Sequence, residues 1–181
     1  GLRFPKRHRK GRNDVDLSIM FGLLGQGLIL TAQIFVITLV GSLPLGVVIA
    51  LCRMSKFKPL SWLASIYISF MRGTPLMLQL MALMFGPYYL FHMQLGTDWK
   101  FWACGIGFIL NYAAYFAEIY RSGIQSIPVG QHEAAKILGY SRMQKFLRII
   151  TPQMIKRVLP AVTNESITLV KDTSLAFAIS Y

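Results

Sequence analysis

Leu17-Ser18-Ile19-Met20-Phe21-Gly22-Leu23-Leu24-Gly25-Gln26 opens a run that reaches Cys52 without one Asp, Glu, Lys or Arg. As one helix, 36 residues would rise ~54 Å, against a hydrocarbon core of ~30 Å. The run therefore reads as a span at about 27–52, preceded by a stretch along the membrane interface. Gly41 and Pro44 lie inside that span and are expected to loosen or kink it. Composition agrees. The 181 residues are 54% hydrophobic and 14% charged, with mean hydropathy +0.49, where a soluble domain carries about 25% charged residues. This argues for an all-α integral membrane protein, and against a soluble enzyme, a disordered tail, a disulfide scaffold or a coiled coil.

Lys and Arg number 19 against 7 Asp and Glu, a formal net charge of +12. In a soluble protein that balance points to nucleic acid. Here the basic residues sit between apolar runs, where cytoplasmic loops account for them, and no nucleic-acid partner is expected. Cys52 and Cys104 are isolated in apolar segments, so they form no disulfide framework. His8, His92 and His132 are scattered and make no metal-binding spacing. Gly1 in place of Met, and Tyr181 directly after an apolar stretch, read as a fragment of a longer protein.

Outward from the first run, residues 1–16 hold Arg3, Lys6, Arg7, Arg9, Lys10 and Arg12, a basic juxtamembrane segment. Arg53, Lys56 and Lys58 follow the first span. Residues 59–95 contain only Arg72 as a firm charge, and Arg72-Gly73-Thr74-Pro75 breaks them, because Pro75 disfavours helix at Thr74. Residues 59–71 read as a helix entering the bilayer obliquely, 75–95 as the second span and 101–120 as the third. Residues 121–157 carry seven basic residues against Glu133 alone and read as a cytoplasmic helical hairpin. Residues 158–180 form a fourth span. The positive-inside rule puts 53–58 and 121–157 in the cytoplasm and 96–100 outside. It then leaves 1–16 outside, against their charge. An upstream helix or the stronger downstream loops would resolve the conflict.

Within the hairpin, Glu133-Ala134-Ala135, Gly139, Ile149 and Pro152 stand at the spacing of the EAA loop of bacterial ABC importer permeases. Arg72-Gly73-Thr74-Pro75-Leu76, Glu118-Ile119-Tyr120-Arg121-Ser122-Gly123-Ile124, Ile127-Pro128-Val129-Gly130-Gln131 and Lys171-Asp172-Thr173-Ser174-Leu175 extend the match. From about residue 23 to 181 the chain resembles the polar amino acid branch of that family, the histidine and glutamine permease type. Thr151 departs from it, standing where the family usually has Leu.

The resemblance implies a type I importer bundle with four of five spans present, the C-terminal span being absent. It implies a multi-pass protein of the bacterial cell membrane, not itself an enzyme. Its partners would be a dimer of ATPase subunits, a second permease subunit (identical or a paralogue) and an external substrate-binding protein. No GxxxxGK[ST] loop exists in the chain, so ATP and Mg belong on the ATPase and no cofactor is expected here. The loop would dock as a short helix in a groove of that ATPase, through Pro128, Gln131, Glu133, Ala134, Ala135 and Gly139. Glu133 can cap or pair, the alanines permit close approach, and Gly139 turns without a Cβ penalty.

Ionisable residues inside a membrane are costly and mark function by default. Glu165 and Asp172, seven residues apart, are offset by only ~20° on a helix, with Asn164 and Thr168 within roughly the same 100° arc. Two carboxylates, an amide and a hydroxyl suit a zwitterionic or cationic ligand. In relatives that carry cationic amino acids, acidic residues at these two positions look like substrate contacts. The stripe therefore points to a path for arginine, lysine or histidine. Alternatively, Asp172 and Lys171 satisfy each other or the local backbone. Asn111, Tyr112 and Tyr115 are polar positions on the third span that could face the same path. Glu118 is expected to pair with Arg121. Arg72 reads as a binder of lipid phosphate or a terminator of a neighbouring helix. Met77, Met81 and Met84 read as packing. The rival function is a carrier driven by an ion gradient, with Glu165 and Asp172 as proton carriers. Such a carrier has no need of an ATPase-docking helix.

Overall fold

The computed structural model describes residues 10–93 and 96–180, which are helical with no strand among them. The order is α1 (Lys10–Arg53), α2 (Lys58–Gly73), α3 (Leu76–Phe91), α4 (Thr97–Gln125), α5 (Val129–Ile137), α6 (Arg142–Lys145), a π-helical turn (Phe146–Ile150) and α7 (Thr151–Ser180). The basic N-terminal segment lies outside the described residues up to residue 9. No break divides an interfacial approach from the first span, because α1 is one helix. Gly41 and Pro44 do not interrupt it. Within it, Ile19–Arg53 is long and apolar enough to cross a bilayer, with mean hydropathy 2.6. α2 and α3 pass the same test only together, bent by 102°. α4 and α7 fall short of that apolarity, lowered by residues such as Asn111, Glu118, Glu165, Lys171 and Asp172.

α4 is the central element, packed against α1, α2, α3 and α7. Its seam with α1 is made of small residues. An added Cβ at Gly46 would come within 2.9 Å of the Phe116 Cβ and 3.3 Å of the Ala113 carbonyl, and one at Gly41 within 2.7 Å of Ile109. Ala50 packs with Ala114, Ala117 and Ile68 of α2. In lipid, small residues let helix backbones approach closely enough for dispersion to hold them. Phe108, Tyr112, Phe116, Leu80, Met84 and Leu169 form the larger core beside this seam.

The α2–α3 bend follows from Pro75. Met71 would normally accept from the N–H four residues on, which proline lacks. The Gln79 amide donates instead to the Met71 carbonyl (3.0 Å) and the Thr74 carbonyl (3.1 Å). Asn111 of α4 donates to Met71 (3.1 Å) and to Gln79 Oε1 (2.9 Å). Freed backbone groups at a sharp bend are thus satisfied from two helices.

Val substitution at Gly46 must displace α4 backbone, and the expected loss is about 1–3 kcal/mol. Thermal unfolding in detergent should show a lowered midpoint for Gly46→Val. Gly25→Ala, where nothing lies within 4 Å, should leave the midpoint unchanged or raise it.

Candidate functional site

α4 and α7 enclose an open cleft of about 650 Å³. On α4 its wall is Tyr115, Glu118, Ile119 and Ser122, with Ser126 just past the helix end; on α7 it is Arg157, Val158, Ala161 and Glu165. Both are rows at three- or four-residue spacing, so each helix turns one face to the cleft. Arg72, at the last turn of α2, closes the side. Gly123 lets α7 touch α4 here, since any Cβ at this position would overlap Val158. At one end Arg157 donates to the Ser126 carbonyl and hydroxyl, tying α7 to the end of α4. Glu118 and Arg121 pair as their spacing predicts.

Of the residues singled out in the sequence, Glu165 lines the cleft, half-buried. Asp172 stands two turns further along α7, and its carboxylate accepts the Tyr112 hydroxyl at 2.7 Å. Tyr112 is 2% exposed and its ring neighbours Tyr115, 6.1 Å between centroids. So Glu165, Asp172, Tyr112 and Tyr115 form one tract between α4 and α7. Asn164 and Thr168 are exposed and do not line the cleft. The Thr168 hydroxyl donates to the Asn164 carbonyl of its own helix. Asn111 is buried and faces the α2–α3 bend rather than the cleft. Arg72 was not foreseen as a cleft residue. Its guanidinium lies 5.3 Å from the Tyr115 ring centroid, a contact between elements that local sequence cannot announce.

The hairpin between α4 and α7 is built for a sharp turn. α5 ends in a Schellman motif: Tyr140 N–H donates to Ala135 (3.0 Å) and Gly139 N–H to Lys136 (3.1 Å). Gly139 takes φ +73°, the left-handed conformation that glycine adopts freely. Ser141 then caps α6 in a reciprocal capping box with Gln144. Pro152 brings no N–H and crowds the turn before it, and there the helix widens to π geometry. The Thr151 hydroxyl donates to the Phe146 carbonyl at 2.8 Å, a use that leucine could not supply. Ala135 is fully buried, whereas Gln131, Glu133 and Ala134 are exposed. Pro128, also exposed, precedes the first turn of α5. Ile137 (87% exposed), Leu138, Met143 and Leu147 make an open apolar surface around the turn.

The family model described as "Binding-protein-dependent transport system inner membrane component" matches residues 42–179. An arginine transport system permease protein of Bacillus subtilis (strain 168) is 44% identical over 156 residues, covering 85% of this chain and 69% of the relative. An L-cystine transport system permease protein of the same organism is 38% identical over 157 residues, 87% of this chain and 65% of the relative. The chain thus spans about two thirds of the length of these relatives. An amino acid ABC transporter crystallised with histidines superimposes with TM-score 0.82 at 35% identity, over 92% of this chain and 76% of that one. An inward-facing methionine ABC transporter shares the fold, with TM-score 0.64 at 22% identity over 88% of this chain and 76% of that one.

Replacing Asn111 by Leu keeps its size but removes the amide that serves Met71 and Gln79. The expected cost is about 1–3 kcal/mol, read as a lower unfolding midpoint with the helix content of the folded state unchanged.

Proposed function

This chain belongs to the binding-protein-dependent transport system inner membrane component family, and on that premise we propose that it forms the translocation path of an ATP-driven amino acid importer. In this reading the substrate is a polar, cationic amino acid. The supporting observation is the tract from the cleft inward. Glu165 opens on the cleft without a hydrogen-bond donor among the described residues, and Asp172 follows on the same helix. Carboxylates in a low-dielectric path favour ammonium and guanidinium groups, by charge and by charge-assisted hydrogen bonds. The arginine permease relative is consistent with that preference.

Energy comes from a separate ATPase dimer, which holds the ATP and Mg; this chain binds neither and is not an enzyme. The remaining partners are a second permease subunit and an external binding protein, assembled on a multi-pass chain in the bacterial cell membrane. α5 and its turn are the coupling element. Gln131, Glu133 and Ala134 are its exposed face, Pro128 and Gly139 bound it, and Ala135 is its buried position. The apolar surface at Ile137 and Leu138 suits insertion into a groove. ATP binding draws α5 with the closing ATPases and opens the permease pair outward; hydrolysis returns it inward.

Two experiments test this. Glu165→Gln should erase the preference for arginine over glutamine in transport by the complete complex; an unchanged preference contradicts the cationic reading. Gly139→Val forces a β-branched residue into positive φ. It should leave the protein inserted in the membrane but lower ATPase association and uptake together. Normal assembly and transport would contradict the role of α5.

A further inference from the structure

An open groove lies where α1 gives way to α2. Ile49 and Cys52 of α1, Leu60, Leu63 and Tyr67 of α2, and Leu110 of α4 line its volume of about 380 Å³. It shares no lining residue with the cleft between α4 and α7. Its polar side-chain groups are the Cys52 thiol and the Tyr67 hydroxyl, and that hydroxyl already donates to the Leu110 carbonyl at 2.5 Å. The groove therefore suits a hydrocarbon rather than a polar ligand.

Charge marks one end of it. Lys56 and Lys58 stand in the chain between Cys52 and Leu60, where the lining passes from α1 to α2. Both are exposed, and neither has an ion pair among the described residues. No Asp or Glu occurs between Asp16 and Asp98, so the lysines have no acidic neighbour in sequence. The turn that carries them is held in shape. The Ser61 hydroxyl donates to the Arg53 carbonyl (2.7 Å) and accepts from the Arg53 guanidinium (3.2 Å), and the Phe57 N–H donates to the Ser55 hydroxyl (3.2 Å). Arg53 is thus committed, whereas Lys56 and Lys58 are not. Phe57 and Trp62, both exposed beside them, are aromatic residues of the kind that sit at headgroup level in a bilayer.

We propose that this groove seats an acyl chain of an anionic phospholipid, whose headgroup phosphate is held by Lys56 and Lys58. The chain belongs to a family of membrane components, so lipid is the solvent of its apolar surface. An unfilled groove between helices forfeits dispersion contacts, and a flexible acyl chain can restore them. Any phospholipid could do that much. The lysines make the choice, because each ammonium at the membrane surface favours a headgroup with net negative charge. Their stems can lie along apolar surface while the ammonium groups reach the phosphate. A transmembrane helix in the same groove would bring no such anion. Lipid bound here would brace the α1–α2 junction without entering the cleft, since α2 turns Ser65, Ser69 and Arg72 to a different space, shared with Arg53 and Glu118.

The test uses the complete transporter in phosphatidylcholine nanodiscs. These carry a trace of phosphatidylglycerol or of phosphatidylcholine with a photoactivatable diazirine in the acyl chain. After illumination, the labelled positions are read by peptide mass spectrometry. The phosphatidylglycerol probe is expected to label segments 49–52 and 60–67 at least ~10-fold more than the phosphatidylcholine probe. Lys56→Gln with Lys58→Gln should bring that ratio to within about twofold. Lys56→Arg with Lys58→Arg, which keeps the charge, should retain most of it. Val36 and Val40, exposed on α1 further from the turn, should take both probes alike in every variant, which shows that the substituted protein is folded and inserted. The assignment is overturned if the two probes label the groove equally, or if the preference survives the glutamine pair. Labelling at Val36 and Val40 with none in the groove would give the groove to a protein helix and overturn it as well.

Discussion

The close approach of α1 to α4 is the constraint on which the other contacts depend. Gly41, Gly46 and Ala50 on one helix meet Ile109, Ala113, Phe116 and Ala117 on the other, with no room for a further methyl at the glycines. Lipid gives two apolar helices no hydrophobic reason to associate, so the seam must hold by fit. Thr38 and Ser42 are fully buried beside it without hydrogen-bond partners among the described residues, a desolvation cost that close packing has to offset. With one face of α4 fixed against α1, its other faces are free to do different work. Asn111 serves the α2–α3 bend, Tyr112 reaches Asp172 of α7, and Tyr115, Glu118, Ile119 and Ser122 line the cleft.

The same helix joins the cleft to the hairpin. α4 ends at Gln125, and α5 begins at Val129 after a turn whose Ile127 is buried. Arg157 bridges back to Ser126, and Gln153 donates to Gln131 at 3.3 Å. The root of the hairpin is therefore fastened to both helices that wall the cleft. Under the proposed function, a displacement of α5 reaches the cleft wall through these bonds rather than through a flexible linker.

Much of the fold was legible because its causes are local. Pro75 marks the bend, since the missing N–H acts wherever the residue sits. Gly139 marks the turn after α5, and Glu118 with Arg121 pair because three residues bring them to one face. What was not legible depends on distant partners. Asn111 faces the bend because Gln79, 32 residues away, meets it there. Arg72 lines the cleft because α2 packs on α4, where the guanidinium meets the Tyr115 ring. A helical wheel groups Asn164 and Thr168 with Glu165, but a shared arc says nothing of what the arc meets: both are exposed, and Glu165 alone of the three lines this cleft. The family resemblance and the residue chemistry converged on the hairpin because glycine geometry, capping and exposed apolar residues are all written within one short segment.

The most direct measurement is uptake of labelled arginine by proteoliposomes containing the complete transporter, with binding protein outside and ATP enclosed, in the presence of a protonophore. The account predicts that uptake requires the enclosed ATP and is unchanged when the proton gradient is abolished. Uptake that proceeds without ATP on an imposed proton gradient, and stops with the protonophore, would contradict it.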